Sequence, residues 1–309
     1  MILLCGIPSE SPLAMVAAAL SALGRDYRFF NQRRVAECAL AYQIEAGAVD
    51  GTPRLGAEEL RLADIDAAYV RLMDDRLLPE LVDQPDASPA RSHSRALHDA
   101  LYRWIEVAPS RMVNRSDPQG SNSSKPYQAQ LIAQYGLRIP ETLITNDPDA
   151  VLAFQREHGG LIYKSMSGVR SIVTALGEND LARLDHIRWC PVQFQALVGG
   201  TDVRVHVVGN ETYATEIVSD TLDYRYARRS GGSAELRAVR LSAEIAEKCV
   251  RLTAGLGLAF AGIDLKITPS GEVFCFEVNP SPAFSFYEAN TGQPIAAAVA
   301  RYLADGSRS

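Results

Sequence analysis

Three oxygen-bearing side chains near the C-terminus, Asp264, Glu277 and Asn279, are spaced so that they could act together. They lie in two apolar segments, 262–267 and 272–279, that flank the sequence Thr-Pro-Ser-Gly. This sequence predicts an antiparallel hairpin, because its residues favour the backbone angles that reverse a chain. How the three side chains meet therefore depends on how the two strands pair.

The predicted register places Ile267 opposite Glu272, and hence Asp264 opposite Cys275. Because side chains alternate between the two faces of a strand, each face can be read from this register. One face is predicted to be wholly apolar, with Ile263, Leu265, Ile267, Phe274, Phe276 and Val278. The other face is predicted to collect the polar side chains Asp264, Lys266, Glu277 and Asn279 around Val273 and Cys275.

Two carboxylates on one face indicate a cation site. Neighbouring acids repel each other, and each carboxylate stays ionised more readily when a cation lies between them. Asp264, Glu277 and Asn279 offer only oxygen donors, which favours a hard divalent cation, Mg²⁺ or Mn²⁺, of the kind shared with substrate phosphates. The alternative is a solvated polar face in which Lys266 is an ordinary ion-pair partner.

Two lysines are candidates for phosphate contacts in a chain where 27 of the 31 basic residues are arginine. Lys164 ends an apolar strand and precedes a small-residue loop, 165–171, whose backbone N–H groups and hydroxyls could hold an anion. Lys125 begins a helix, where the helix dipole disfavours a cation that has no anionic partner. A surface loop without a ligand is the open alternative for 165–171.

Arg204 lies at the centre of a predicted strand, on the same face as Asp202 and His206. An arginine in this position needs a carboxylate or a phosphate that its planar guanidinium can hold. A structural pairing with Asp202 and a ligand-binding role both remain open. His206 is predicted to be structural, and Arg225 is a weaker candidate.

The order of elements predicts an α/β protein with three units. Residues 1–108 alternate strands and helices, which favours a parallel sheet. A boundary is predicted near Pro109, and the polar segment 114–124 is predicted to form no element. Residues 109–190 form a second unit and 191–309 a third, rich in strands and ending in a helix at 292–304.

Composition excludes several classes of protein. The net charge of −6 and the scattered aromatic residues argue against nucleic acid as a partner. No apolar run approaches the ~20 residues of a membrane span, and the first residues do not resemble a signal peptide. Five widely spaced cysteines fit a reducing cytoplasm. Walker A, G-x-S-x-G, H-E-x-x-H and G-x-G-x-x-G motifs are absent.

Taken in order, these motifs resemble the ATP-grasp superfamily, most closely its glutathione-synthetase and RimK-type branch. The resemblance extends from about residue 113 to 303 and rests on 124–126, 163–171, 194–198, 202–205, 262–265 and 276–280. The tail around Glu288 and 291–295 is most similar to the graspetide ligases that crosslink microviridin-type peptides. Ala196 departs from the pattern, since many relatives carry Glu there, and so does the Ser-Pro-Ala sequence at 281–283.

The resemblance implies an ATP-grasp fold of two α+β subdomains behind an N-terminal pre-ATP-grasp α/β domain, with ATP bound between the subdomains. It implies that phosphates are contacted by Lys125, Lys164 and the loop residues Ser167, Gly168, Arg170 and Ser171. The adenine-facing hinge would be formed by Gln195, Ala196, Leu197 and Val198. Asp264, Glu277 and Asn279 would hold two Mg²⁺ ions, or Mn²⁺.

The implied reaction joins a peptide or amino-acid carboxylate to an amine, or to a hydroxyl, through an acyl phosphate, with ADP and phosphate released. Arg204 and Lys164 are the catalytic candidates, and residues 220–235 are a candidate lid. An ATP-grasp kinase that phosphorylates a hydroxyl and a nucleotide-binding module without catalysis are the alternatives. A homo-oligomer is compatible with the resemblance.

Overall fold

The computed structural model describes residues 1–164, 173–219 and 234–305. Within these ranges the chain forms three larger sheets and two small ones, with helices on their faces. The mixed α/β class predicted from the sequence is confirmed.

The first sheet is parallel and belongs to the N-terminal part of the chain. Its strands are β1 (Ile2–Gly6), β2 (Tyr27–Asn31), β8 (Ala67–Arg71) and β9 (Arg111–Val113), in the order β2-β1-β8-β9. Helices α1 (Ser11–Ala22) and α2 (Pro89–Val107) accompany it. Leu4, Tyr69 and Trp104 are among its most buried side chains. The predicted parallel sheet is therefore present.

Residues 38–59 contain short strands that the sequence did not predict. They are β3 (Cys38–Ala39), β4 (Tyr42–Glu45), β5 (Ala48–Gly51), β6 (Arg54–Leu55) and β7 (Glu58–Glu59). They form a three-stranded sheet, β3-β6-β7, and a two-stranded sheet, β4-β5. Strands this short carry too little periodicity to be recognised from sequence.

The segment predicted to lack structure contains helix α3 (Ser116–Gln119), followed by a 3-10 turn (Gly120–Ser123) and α4 (Lys125–Gln134). That prediction is wrong, and tertiary contacts explain why. Glu106 of α2 accepts hydrogen bonds from the first N–H groups of α3 at Ser116 and Asp117. Arg115 donates to carbonyls at the end of α2. These contacts provide hydrogen-bond partners for backbone groups at the helix ends, which have no partner within a helix.

The second sheet is antiparallel. Its strands are β10 (Thr142–Thr145), β11 (Leu161–Lys164), β12 (Thr174–Ala175) and β13 (Val192–Ala196), in the order β10-β13-β11-β12. Helices α5 (Pro148–His158) and α6 (Glu178–Leu181) belong to the same part of the chain. Val151, Leu161 and Phe194 lie in its core.

The third sheet is antiparallel and carries most of the candidate site. Its strands are β14 (Thr201–Val208), β15 (Glu211–Ser219), β16 (Ala234–Val239), β17 (Phe260–Ile267) and β18 (Val273–Asn279), in the order β16-β15-β14-β17-β18. Helix α7 (Ala243–Gly255) packs against β14, β15 and β17, and cluster residues such as Val205, Leu252 and Ile263 are fully buried. The apolar cluster beneath α7 thus supports one face of the sheet.

The terminal helix predicted at 292–304 is present as α9 (Ile295–Ala304), and a helix that the sequence analysis did not predict, α8 (Ser285–Thr291), precedes it. Gly292 has a φ of +69°, a left-handed conformation that ends α8. Glu288 then accepts a hydrogen bond of 2.7 Å from the N–H of Ala296 in the first turn of α9. No described helix is both long and apolar enough to cross a membrane.

The sheets run slightly past the unit boundaries predicted at 108 and 190. Strand β9 joins the first sheet, and β13 joins the second. Helix α4 contacts β18 of the third sheet. The division into three units stays a prediction.

Candidate functional site

The hairpin of β17 and β18 brings the two candidate carboxylates face to face. Asp264 lies directly opposite Glu277, and Gly262 lies opposite Asn279. Cross-strand partners share one face of a sheet, with their Cβ atoms about 5 Å apart. The structure therefore gathers the predicted oxygen donors on one face of this two-stranded ribbon of β17 and β18.

The predicted register of the hairpin is wrong. Ile267 lies opposite Val273 instead of Glu272, and Leu265 lies opposite Cys275. The N–H of Thr268 donates to the backbone carbonyl of Glu272, which leaves a three-residue loop that ends at Gly271 with a φ of +86°. A three-residue loop closed by a left-handed glycine is one of the common hairpin connections, and it shifts the pairing by one residue.

A second irregularity in the pairing lies between Asp264 and Leu265. It brings Glu277 back to the same face as Asp264 and places the two carboxylates opposite each other. The extra residue on β18 is Phe276, and such a bulge exchanges the faces of the strand on either side of it. Val273 and Cys275 therefore leave the polar face where they were predicted and pack into the core, with Cys275 1% exposed. The apolar face consists of Ile263, Leu265, Ile267, Val273, Cys275 and Val278, without Phe274 or Phe276.

Each candidate carboxylate is paired with a cation. Arg204 of β14 lies opposite Asp264 and donates to its Oδ1 at 2.6 Å. Lys125, from the first turn of α4, donates to Oε1 of Glu277 and, at 3.0 Å, to Asn122. The anionic partner that we expected for Lys125 at the start of its helix is thus Glu277, a candidate metal ligand. Two negative and two positive charges balance across the site.

The remaining charge on the ribbon, Lys266, forms an ion pair of 3.2 Å with Asp202. This ordinary pairing is the alternative that the sequence left open for Lys266. Asn279 uses its Oδ1 to accept a hydrogen bond of 2.9 Å from the N–H of Ser281. That bond orders the turn after β18.

Arg204 reaches Asp264 by passing over Gly262. Its guanidinium fills the space that a side chain at 262 would need: a Cβ there would lie 2.2 Å from Nη2 and 2.6 Å from Cζ. Arg204 is only 6% exposed, and its Cζ lies 5.8 Å from the centre of the Tyr287 ring. Gly262 therefore leaves the space that Arg204 occupies, a role that the sequence analysis did not assign to it although it opens the segment 262–265.

His206 lies on the same strand as Arg204 and is fully buried. Its ring packs edge-on against Tyr287, with centroids 4.8 Å apart, and neither ring nitrogen has a hydrogen-bond partner within the described residues. Burial, and then the positive charge of Arg204, hold the pKa of His206 well below its usual range. The imidazole is therefore neutral at neutral pH, and its structural role stays a prediction.

Replacing His206 by Phe is expected to make the free energy of unfolding depend less steeply on pH below about pH 6.5. The unfolded chain binds a proton on this histidine below about pH 6.5 and the folded chain does not, so stability falls as the pH drops below that value. The difference in slope between the wild type and the variant approaches about 1.4 kcal/mol per pH unit. Urea unfolding at several pH values between neutral and mildly acidic measures it; parallel curves would contradict the assignment.

Two side chains that the sequence analysis did not single out bind the backbone where β17 begins and β18 ends. Asn114, 3% exposed, accepts from the N–H groups of Ala259 and Phe260 and donates to the carbonyls of Phe260 and Pro280. Gln128 of α4 bonds both backbone groups of Val278. Both are polar residues with no local signal of burial, and only their long-range contacts identify them.

The predicted hinge residues lie at the end of β13. Gln195 is 6% exposed and donates to Thr142 at 3.0 Å, whereas Leu197 is 46% exposed. The N–H groups of Ala196 and Leu197 donate to the carbonyls of Glu141 and Gly160. The role of this segment and of Val198 in binding adenine stays a prediction.

Lys164 ends β11, in the second sheet, opposite Gln193. The loop residues predicted to follow it at the phosphates, Ser167, Gly168, Arg170 and Ser171, lie outside the described residues. So do Arg225 and most of the candidate lid. The structure therefore brings together the five residues Lys125, Arg204, Asp264, Glu277 and Asn279, and it places Lys164 on a separate sheet.

The donor set fits a hard divalent cation. Two carboxylates and an amide oxygen face one side of the ribbon, and thiolates and imidazoles are not among them. Within the described residues no group of three or more His, Cys, Asp or Glu side chains is arranged to hold a metal. A cation bound here would thus take ligands from Asp264, Glu277 and Asn279 and would need further oxygens from its substrate.

The parallel N-terminal sheet, the two antiparallel sheets that follow it and the oxygen donors on β17 and β18 are compatible with an ATP-grasp fold. The RimK-like ATP-grasp domain matches residues 122–303, and the chain belongs to that family. The family, the fold class and the ATP-dependent ligase activity expected from the sequence are thereby confirmed.

Relatives and solved structures agree with this assignment. A "Probable alpha-L-glutamate ligase" of Sodalis glossinidius is 28% identical over 92% of this chain and 96% of its own length. The ATP-grasp ligase PsnB, solved with a phosphomimetic variant of its minimal precursor, Mg and ADP, is 27% identical with a TM-score of 0.79 over 99% of this chain and 98% of PsnB. A RiPP-associated ATP-grasp ligase of Chryseobacterium gregarium shares the fold, with 21% identity and a TM-score of 0.81 over 100% of this chain and 99% of that one.

Proposed function

We propose that this protein joins a carboxylate of a peptide substrate to an amine, with ATP as the energy source and an acyl phosphate as the intermediate. The observation that carries the proposal is the direct pairing of Asp264 with Glu277 across the ribbon, each bonded to a cation, Arg204 or Lys125. This set of charges suits the transfer of a phosphoryl group, which needs positioning and charge neutralisation more than a nucleophile from the protein.

In the first step, an oxygen of the substrate carboxylate attacks the γ-phosphorus of ATP. A new P–O bond forms, the bond to the bridging oxygen breaks, and ADP leaves with the electron pair. Lys125 and Lys164 would hold phosphate oxygens, and Arg204 would hold the acyl phosphate through its planar guanidinium. Because Arg204 is almost fully buried, its charge acts there with little screening by water.

In the second step, the amine attacks the acyl carbon and phosphate leaves from the tetrahedral intermediate. The amine loses a proton as the amide forms. Arg204 would stabilise the negative charge that develops on the acyl oxygen and the leaving phosphate. A hydroxyl acceptor would give an ester by the same route.

Asp264, Glu277 and Asn279 would hold Mg²⁺, which would neutralise phosphate charge and polarise the γ-phosphorus when bound. We propose two Mg²⁺ ions, with Mn²⁺ as a substitute. The adenine would lie at the hinge formed by residues 195–198. We also propose that the protein works in a reducing cytoplasm, which agrees with its five free cysteines. A homo-oligomeric state stays a prediction.

The peptide substrate is supported by PsnB, whose solved complex contains a precursor peptide. The name of the Sodalis relative supports glutamate as a small acceptor. The two possibilities differ in the product: a crosslink within one peptide removes one water, whereas a transferred glutamate adds a glutamyl residue.

We expect ADP release only when the full-length protein, ATP and Mg²⁺ are supplied with an acceptor. The assay presents acidic peptides that also contain lysine, serine and threonine, with and without free glutamate, and the products are weighed by mass spectrometry. An amide or ester product supports the ligase. A stable phosphorylated product would instead identify a kinase, and ATP binding without turnover on any peptide would identify a non-catalytic module.

A further inference from the structure

Gln128 makes an unusual contact with the strand that carries two candidate metal ligands. Its Nε2 donates to the carbonyl of Val278 at 2.8 Å, and its Oε1 accepts from the N–H of the same residue at 3.0 Å. Gln128 is 1% exposed and Val278 is fully buried. One side-chain amide thus pairs with both backbone groups of one residue, as a neighbouring strand would.

Val278 lies between Glu277 and Asn279, and β18 is an edge strand of its sheet. The outward backbone groups of an edge strand have no ladder partner, and buried groups without partners destabilise the fold. Another part of the chain covers the same edge at Cys275, whose N–H donates to the carbonyl of Arg138 at 2.7 Å. Gln128 covers it at the position where both neighbouring side chains point toward the cation site.

Gln128 also determines where Lys125 lies. The two residues are three positions apart in α4, so they share one face of the helix. The bond from Gln128 to Val278 holds α4 at one height along β18, and from there Lys125 reaches Glu277. A single buried amide therefore sets the backbone of two candidate ligands and the position of the lysine beside them.

We infer that Gln128 is a positioning residue of the metal and phosphate site, and this inference rests on the proposed function. The inference assigns no contact between Gln128 and the substrate. Its role is to keep Glu277, Asn279 and Lys125 in one arrangement through the backbone of Val278. Outer partners that orient metal ligands typically contribute about 10–100-fold to metal affinity.

The chain offers a matched control beside its N-terminal sheet, in the 3-10 turn that follows β2. Gln32 is 3% exposed and makes the same double contact with the backbone of Met73: the N–H of Met73 donates to its Oε1 at 2.8 Å, and its Nε2 donates to the carbonyl of Met73. Gln32→Leu removes the same kind of hydrogen-bond pair as Gln128→Leu, with partners that lie outside the hairpin of β17 and β18. Any loss of stability should therefore be similar in the two variants.

The test measures Mn²⁺ binding to the full-length protein with ADP by electron paramagnetic resonance, together with the midpoint of thermal unfolding. We expect Gln128→Leu to weaken Mn²⁺ binding about 10–100-fold and Gln32→Leu to leave it unchanged. Gln128→Glu keeps the acceptor for the N–H of Val278 and loses the donor. Its Mn²⁺ affinity should therefore lie between those of Gln128→Leu and Gln32→Leu, and this variant replaces Gln128→Leu if the latter does not fold.

Three outcomes would overturn the inference. Mn²⁺ affinity equal to the wild type in both Gln128 variants would remove the positioning role. Equal losses in the Gln128 and Gln32 variants would show that general stability, not the ribbon, governs binding. If the wild-type protein bound no Mn²⁺ with ADP, the metal assignment in the proposed function would fail first, and the role of Gln128 would fail with it.

Discussion

Replacing Glu277 by Gln should lower kcat by about 10²–10³-fold while the protein stays folded. The amide is close in size to the carboxylate, but it removes one of the two negative charges that face the proposed cation. It also removes the anionic partner of Lys125. Both changes weaken the arrangement that would hold a phosphoryl group during transfer, so the effect should appear in kcat as well as in the Mg²⁺ concentration needed for half-maximal rate.

Glu272→Gln is the matched control for this variant. Glu272 lies at the turn of the same hairpin, is largely exposed and pairs with Arg138. Its replacement should leave ADP release within about twofold of the wild type, since exposed ion pairs contribute little. Normal turnover of the Glu277 variant, measured as ADP release with a productive acceptor, would refute the metal assignment.

Gly262→Ala should lower kcat about 10²-fold although it removes no functional group. The added methyl group would occupy the space of the Arg204 guanidinium, whose atoms lie 2.2 Å and 2.6 Å from the position of that Cβ. Arg204 must then leave Asp264 and the place where the acyl phosphate would form. The backbone at Gly262 is an ordinary strand, so the loss comes from displacement of the arginine.

A double-mutant cycle with Arg204→Met separates this explanation from general damage. If Gly262→Ala acts by displacing Arg204, the two effects on kcat should be far from additive, and the double variant should be about as slow as Arg204→Met alone. Gly120→Ala serves as a control, because a Cβ at 120 would meet no atom within 4 Å. Additive losses in the cycle would show that position 262 acts independently of Arg204.

Several parts of the site follow from local patterns. The apolar alternation predicts β14, β17 and the end of β18, and the Pro residue after Lys125 predicts the start of α4. The donor types of Asp264, Glu277 and Asn279 are sufficient to favour a hard cation. The failures are equally local in origin: Phe276 looks like one more core residue of an alternating strand, and no spacing rule shows that it is the bulge.

By itself, the sequence determined the class of protein, the strands and helices with strong periodicity, and the chemical nature of the candidate donors, because each of these depends on residue types within a few positions of one another. Only the tertiary structure decided the pairing of Asp264 with Glu277, the contact of Lys125 with Glu277 across 152 residues, and the contacts of Gln128 and Gly262. These depend on strand register and on which distant surfaces meet. The free energies that select them come from the packing of the whole fold and leave no periodic signal in the chain.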